Sequence, residues 1–369
     1  MEMMSAARLH DVASPFSVDD VPVPEVTGSD VLIQVRACGV VPNLKNVAYN
    51  YPEWFPFLPL PPLPSTYGLD PAGEIAAVGP DVLSLSPGQR VYVNPARSCG
   101  SCFKCRSGDQ VACASFTFAG YFGFGPGSRQ VFERYPSGGF AEYMVAPATS
   151  LVVLPEEVSF EEASRFGYLG TSYAALRRGQ AGPDTTVLIN GATGTLGVGA
   201  TLLALAMGVP KILAVARNEA LLEELRALDP RRIVTHSNNA GPCTEWAREQ
   251  TEGHGPDVMI EALGPGAPPE ATLDAMLSVS RGGKIVTIGG MDCKIPIDPI
   301  WIMCSQISYL GSAWFSTAQG EDMARMAKAG TLDLGRLTHL RFSLSQVNEA
   351  LESAQHRDHG GFTNIVVMP

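Results

Sequence analysis

Over residues 30–38 the chain reads DVLIQVRAC, with apolar and polar positions alternating at the period of a half-buried strand. Short, turn-bounded segments of similar pattern follow at 73–79, 90–94 and 139–145. Together they predict a closed or packed antiparallel sheet in the first 150 residues. From about residue 160 the pattern changes. Apolar runs at 186–189, 211–215, 232–235, 258–260 and 284–288 predict strands, with 307–310 as a sixth. Between them, 196–207, 219–228, 244–251 and 269–280 read as helices. Strands that alternate with helices imply βαβ units and a parallel sheet, because hairpins cannot join parallel strands. The last fifty or so residues return to mixed character and are expected to fold back onto the first domain.

One segment fits neither pattern. Prolines at 52, 56, 59, 61, 62 and 64 exclude a central strand or a helix interior. A stiff loop is expected, carrying Trp54, Phe55 and Phe57. Its aromatics either tuck into the core or form a wall of an apolar pocket.

Composition narrows the function classes. At 369 residues two domains are the default, each large enough for its own core. With 45% hydrophobic and 17% charged residues, the chain is not disordered. A formal charge of −11 and the lack of a basic patch exclude nucleic acid as a partner. The start MEMMSAARLHDV has no basic stretch followed by an apolar one, so no secretory signal is read. Residues 185–210 carry no charge, but Asn190 and five glycines mark a strand, a turn and a buried helix rather than a membrane span. A soluble, cytoplasmic protein with no membrane partner is expected.

The turn in VLINGATGTLGVGATLLALAMG places Gly191, Gly194 and Gly197 between a strand and a helix, with a second strand following at Lys211. Gly191 permits the tight turn, Gly194 lets the backbone approach a pyrophosphate, and Gly197 lets helix and strand pack closely. Free N–H groups at the helix start then face the phosphate oxygens. A turn that serves packing alone is the plainer alternative. At the end of the second strand, where a carboxylate would accept from a ribose 2′-hydroxyl, the chain has Ala216 followed by Arg217. A guanidinium suits a 2′-phosphate, which favours NADP(H) over NAD(H). The other role open to Arg217 is to end a solvated strand. Residues expected at the cofactor are Gly191, Thr193, Gly194, Thr195, Leu196, Gly197, Arg217, Asn218, Leu263 and Gly289.

Four of the eight cysteines crowd into CGSCFKCRSGDQVAC. The spacing of Cys99, Cys102, Cys105 and Cys113 suits one tetrahedral Zn²⁺ with no open position, a structural site. An iron–sulfur cluster is the alternative for four cysteines.

The cysteine lobe, the segment GLDPAGEIAAVG, the stretch PGQRVYV and the glycine turn together identify the chain as resembling the medium-chain dehydrogenase/reductase superfamily, in its zinc alcohol dehydrogenase branch. The resemblance spans nearly the whole chain. It implies an α/β architecture: a GroES-like β-rich domain at 1–162 and 313–369, with the zinc lobe at 95–115, and a doubly wound Rossmann cofactor domain at 163–312. It also implies one structural zinc on the four lobe cysteines, and a homodimer formed through the edge strand near 307–310, with a tetramer as the alternative.

The departures from the family pattern carry the mechanism. Where the branch places its catalytic zinc ligands, this chain has Val41, Leu69 and Gly167. Its histidines are at 10, 236, 254, 339, 356 and 359, so none falls between residues 11 and 235. Val, Leu and Gly side chains cannot ligate zinc, and Cys38 reads as a core thiol. The expectation is a protein that keeps the structural zinc and has no catalytic zinc. Hydride transfer then needs a substrate that already delocalises charge: an activated C=C, C=O or C=N in a small apolar molecule. Zinc-free quinone and alkenal reductases of the superfamily suggest the same chemistry by analogy. Asn43 occupies the slot of the family's proton-relay Ser or Thr, Asp70 follows the missing histidine, and Tyr168 lies beside the third empty slot. These three are the catalytic candidates, with Tyr67 and Lys45 as further donors. An alcohol dehydrogenase or carbonyl reductase working without metal, and a cofactor-binding protein without turnover, are the other readings.

Overall fold

A computed structural model describes residues 2–356 and 360–369, so His359 lies outside the described residues. The change of pattern near residue 160 is a change from one sheet to another. Strand Asp30–Gly39 lies inside a seven-stranded sheet, and Val31, Ile33 and Val35 face one core, as the alternation requires, until a register shift between Val35 and Ala37 puts Cys38 in that core with them. It is antiparallel to Asp70–Val78, to Tyr143–Pro147 and to Thr363–Met368. The last of these sets Val366 opposite Gly39 and pairs in parallel with Thr338–Ser343. The C-terminal residues thus return to the sheet built by the first hundred. Met3–Leu9 joins Ser17–Pro22 and Ser65–Thr66 in a separate three-stranded sheet.

Two expectations are corrected. The strand read at 139–145 begins only at Tyr143. The backbone before it crosses residues 66–68 instead: Gly138 and Phe140 donate to the carbonyls of Thr66 and Tyr67 at 2.9 Å. Gly68, at φ +114°, and Gly138 would each overlap the opposing backbone if they carried a Cβ, so the glycines serve the crossing. The proline-rich loop opens with a helical turn, Tyr51–Trp54, because Pro52 sits in its first turn, where proline lacks no needed donor. Trp54 and Phe57 are 46% and 68% exposed, so neither reaches the core.

The second sheet has six parallel strands: Thr186–Asn190, Lys211–Ala216, Ile233–Ser237, Val258–Glu261, Lys284–Thr287 and Ser308–Gly311. Numbered along the chain, their spatial order is 3-2-1-4-5-6, the doubly wound order. The order reverses between the first and fourth strands, and a crevice opens at their carboxyl ends. Helix Phe166–Gly179 has no counterpart in the sequence reading. Eleven of its fourteen residues are buried, so it has no polar face to reveal a helical period. Among the described residues no helix is long and apolar enough to cross a membrane.

Candidate active site

A cleft of about 2480 Å³ runs between the two sheets and is lined by both. Its floor is the glycine turn. Gly191 takes φ +84°, and its N–H and that of Ala192 donate to the Val215 carbonyl at 2.9 and 3.0 Å, tying the first strand's turn to the second strand. A Cβ on Gly197 would overlap the Gly191 carbonyl, which is the close packing the spacing predicts. Gly194 precedes helix Thr195–Ala206, and Thr193, Gly194, Thr195 and Leu196 face the cleft. First-turn amides of a helix lack intrahelical acceptors, so this rim suits a pyrophosphate.

Arg217 is exposed at the cleft edge and makes no ion pair among the described residues; its carbonyl accepts from Asn239 Nδ2 at 3.1 Å. Asn218 caps helix Glu219–Leu228 by accepting from the Leu221 N–H at 3.1 Å. Leu263 and Gly289 close the far side, and a Cβ on Gly289 would overlap the Leu263 carbonyl. Beneath them the buried Glu261 accepts from the Leu263 N–H, Thr272 Oγ1 and Asn190 Nδ2 at 2.8, 2.8 and 3.0 Å. Of the ten expected cofactor residues, nine line the cleft and Gly197 packs behind them. The glycine cradle and open helix start fit a dinucleotide.

In the lobe, the Sγ atoms of Cys102 and Cys105 are 3.5 Å apart, those of Cys99 and Cys113 3.6 Å, Cys102 and Cys113 3.8 Å, and Cys99 and Cys105 3.9 Å. A zinc at ~2.3 Å from four sulfurs needs edges of ~3.8 Å. None of the four is in a disulfide. Backbone N–H groups of Cys102 and Ser115 point at Cys99 and Cys113 Sγ, each at 3.4 Å, which favours thiolates. The residues fit one zinc. Among the described residues this is the one cluster of three or more His, Cys, Asp or Glu side chains close enough to hold an ion.

Val41 and Leu69 are buried apolar side chains. A side chain at Gly167 would overlap the Asp70 carboxylate, so Asp70 occupies that room. Asp70 is 1% exposed and accepts from the Tyr92 hydroxyl at 2.7 Å. Burial pushes its pKa up to about 7, against the pull of Tyr92, Arg165 and the Gly167 N–H. It does not line the main cleft. It lines a small cavity of about 10 Å³ behind it, with Val41, Arg165, Tyr168 and Asn364. Cys38 is a buried core thiol whose pKa burial raises.

Tyr168 lines both the cleft and the small cavity. Burial raises its pKa, Asp70 adds to this and Arg165 opposes it. Asn43 lines the cleft, but its amide is occupied. Nδ2 donates to the Tyr51 hydroxyl at 2.7 Å, Oδ1 accepts from Asn46 Nδ2 at 3.0 Å, and the amide also faces the Tyr121 hydroxyl. Asn43 therefore orients two phenols that open on the cleft. Tyr67 and Lys45 are elsewhere. Tyr67 is buried with a partnerless hydroxyl, and Lys45 pairs with Glu352 at 2.6 Å on the outer surface.

Three residues escaped the sequence reading: Tyr51, Tyr121 and Arg165. The run FTFAGYFGFG after the last lobe cysteine was the available signal for Tyr121. It builds an aromatic wall in which Phe118, Phe122 and Phe124 pack with Trp314, whose ring lies 4.5 Å from that of Phe118. Arg165 is a single cation in the otherwise uncharged run ASRFGYLG.

Such a β-rich sheet joined to a dinucleotide crevice defines a nicotinamide-type oxidoreductase architecture. Residues 27–156 match the alcohol dehydrogenase GroES-like domain, and residues 195–329 match the zinc-binding dehydrogenase domain. The alcohol dehydrogenase of Geobacillus stearothermophilus is 31% identical over 312 residues, 84% of each chain. An NAD-dependent alcohol dehydrogenase of Sulfurisphaera tokodaii is 27% identical over 358 residues, 96% of this chain and 97% of that one. A solved structure from Sinorhizobium meliloti 1021, described as a zinc-binding dehydrogenase and bound to NADP, superposes with a TM-score of 0.83 at 23% identity, covering 100% of both chains. The chain belongs to the zinc-type alcohol dehydrogenase branch of the medium-chain dehydrogenase/reductase superfamily, and it is an oxidoreductase of that kind.

Proposed function

We propose that the protein is an NADPH-dependent reductase of an activated C=C, C=O or C=N in a small apolar substrate, with no metal at the reacting centre. The observation that carries this reading is the content of the former ligand positions. Val41 and Leu69 offer no ligand atom, and Asp70 fills the room beside Gly167, hydrogen-bonded to Tyr92, while the dinucleotide cradle is intact. Bound NADPH supplies a hydride. The helix start at Thr195 and Leu196 receives the pyrophosphate, and Arg217 receives the 2′-phosphate. Tyr168 holds a proton at the cleft, and Asp70 holds a second one in the cavity behind it. Asn43 orients Tyr51 and Tyr121 against the substrate oxygen. The aromatic wall excludes water and favours an apolar substrate. The lobe cysteines hold one zinc, which stabilises the fold and takes no part in chemistry.

The names of the relatives favour a second reading, an alcohol dehydrogenase or carbonyl reductase with the same site. Consumption of NADPH with a conjugated enone, set against reduction of NADP⁺ by a simple secondary alcohol, separates the two. A faster reaction with the alcohol overturns the first. The reading also includes a division into 1–162 with 313–369 and 163–312. A homodimer forms through the sheet edge at Ser308–Gly311, where Ile300 and Met303 of the adjoining helix are exposed; a tetramer is the alternative.

A further inference from the structure

Arg165 is a buried cation without a counter-ion. It is 5% exposed, yet it lines both the main cleft and the small cavity beside Asp70. Its Nη2 donates to the Gly361 and Thr195 carbonyls at 2.6 and 3.3 Å. Its Nε is buried with no partner. Among the described residues no carboxylate pairs with it. Burial lowers its pKa to about 10, which leaves it charged at neutral pH. The guanidinium lies 5.7 Å from the centroid of the Tyr168 ring, at the boundary between the cofactor helix and the former metal position.

Two carbonyls need only a neutral donor. A full charge, desolvated and with an unused N–H, is costly unless an anion completes it. Asp70 is felt electrostatically, but its carboxyl is engaged by Tyr92 and the Gly167 N–H. Arg165 lines the cleft together with Tyr168, Phe118, Phe122 and Trp314, so the cleft is the side from which an anion reaches the guanidinium.

We propose that Arg165 is the anion receptor of this cleft. It takes an anionic oxygen of the substrate, either a carboxylate already present or the oxygen that gains charge during reduction. This rests on the metal-free reductase reading, in which a fixed cation carries the charge role that the branch gives to zinc. The substrate class it selects is a planar, apolar molecule ending in such an oxygen. In the step, hydride from NADPH adds to the electrophilic carbon and NADP⁺ forms. The π electrons move to the oxygen, directly or through a conjugated C=C, and Arg165 holds that oxygen without transferring a proton. Tyr168 then gives the proton, and solvent restores it.

The test is read in binding and needs no turnover. Calorimetry of benzoate and of the neutral benzamide is run on the wild-type protein, Arg165→Met, Arg165→Gln and Arg165→Lys, each with and without NADP⁺. Charge-assisted hydrogen bonds predict a preference for benzoate of roughly 10–100-fold in the wild type. The preference is lost in the Met and Gln variants and largely kept in the Lys variant, with NADPH affinity within about threefold throughout. No preference in the wild type overturns the proposal, and this arm holds even if no variant folds. A preference that survives Arg165→Met with a lower Tm makes the residue structural and also overturns it. Equal weakening of NADPH and NADH, with benzoate untouched, assigns the cation to the cofactor's phosphates and overturns it as well. If the enone assay fails while benzoate discrimination holds, it is the reductase reading that falls and not the receptor.

Discussion

Asp70→Asn tests whether a buried acid has replaced a metal ligand set. In the unfolded chain this carboxyl ionises near 3.8, whereas burial in the folded protein raises it to about 7. Between those values the unfolded chain has given up its proton and the folded chain keeps it. Stability from this residue is therefore fully present below pH ~4, falls as pH rises, and levels off above ~7. At ~1.4 kcal/mol per tenfold change in proton affinity, the loss across the window is on the order of 4 kcal/mol. Asparagine cannot ionise, and its amide can donate to the Tyr92 hydroxyl that now donates to Asp70. Urea unfolding of both proteins from pH 4 to pH 8 gives the comparison. The curves should nearly meet at pH 4, with the variant increasingly the more stable of the two toward pH 8. Other buried acids such as Glu261 contribute to both curves and cancel in the difference. Parallel curves would refute the reasoning and place an ionised carboxylate in the site.

Arg217→Ala should weaken NADPH binding by ~1.5–3 kcal/mol, the worth of a charge-assisted hydrogen bond, and leave NADH unchanged when both are followed by fluorescence titration. Tyr168→Phe should lower kcat by ~10²–10⁴-fold without changing NADPH affinity, and stopped-flow turnover checks it. Asn43→Ala should cost on the order of 10²-fold in kcat by freeing Tyr51 and Tyr121, whereas a lower Tm with normal turnover would make it structural. Cys105→Ser should lower Tm and promote aggregation, with near-normal kcat in the folded fraction measured after size exclusion.

The parallel sheet was legible because its four inner strands are largely buried and read as short apolar runs, and because Gly191, Gly194 and Gly197 sit between a strand and a helix. The thiol cluster was legible for a similar reason, since its geometry lies in one short stretch of chain. What the sequence hid is how side chains meet once the chain folds, near or far along it. Helix Phe166–Gly179 lacks a polar face because sheet, helix and the Phe315 ring surround it. Asn43 reads as a free donor, and only folding brings Tyr51 to its amide. Arg165 becomes notable only when Gly361, almost two hundred residues away, closes over it. Lys45 lies close in sequence to Asn43, but about half a helical turn carries it outward to Glu352.

The central claim is that hydride chemistry here proceeds without a metal at the reacting centre. Metal analysis of purified protein that is active with NADPH and an enone tests it most directly. The account predicts about one zinc per chain, held by Cys99, Cys102, Cys105 and Cys113 and lost in Cys105→Ser. Two tightly held zincs per chain, with activity following the second, would contradict it.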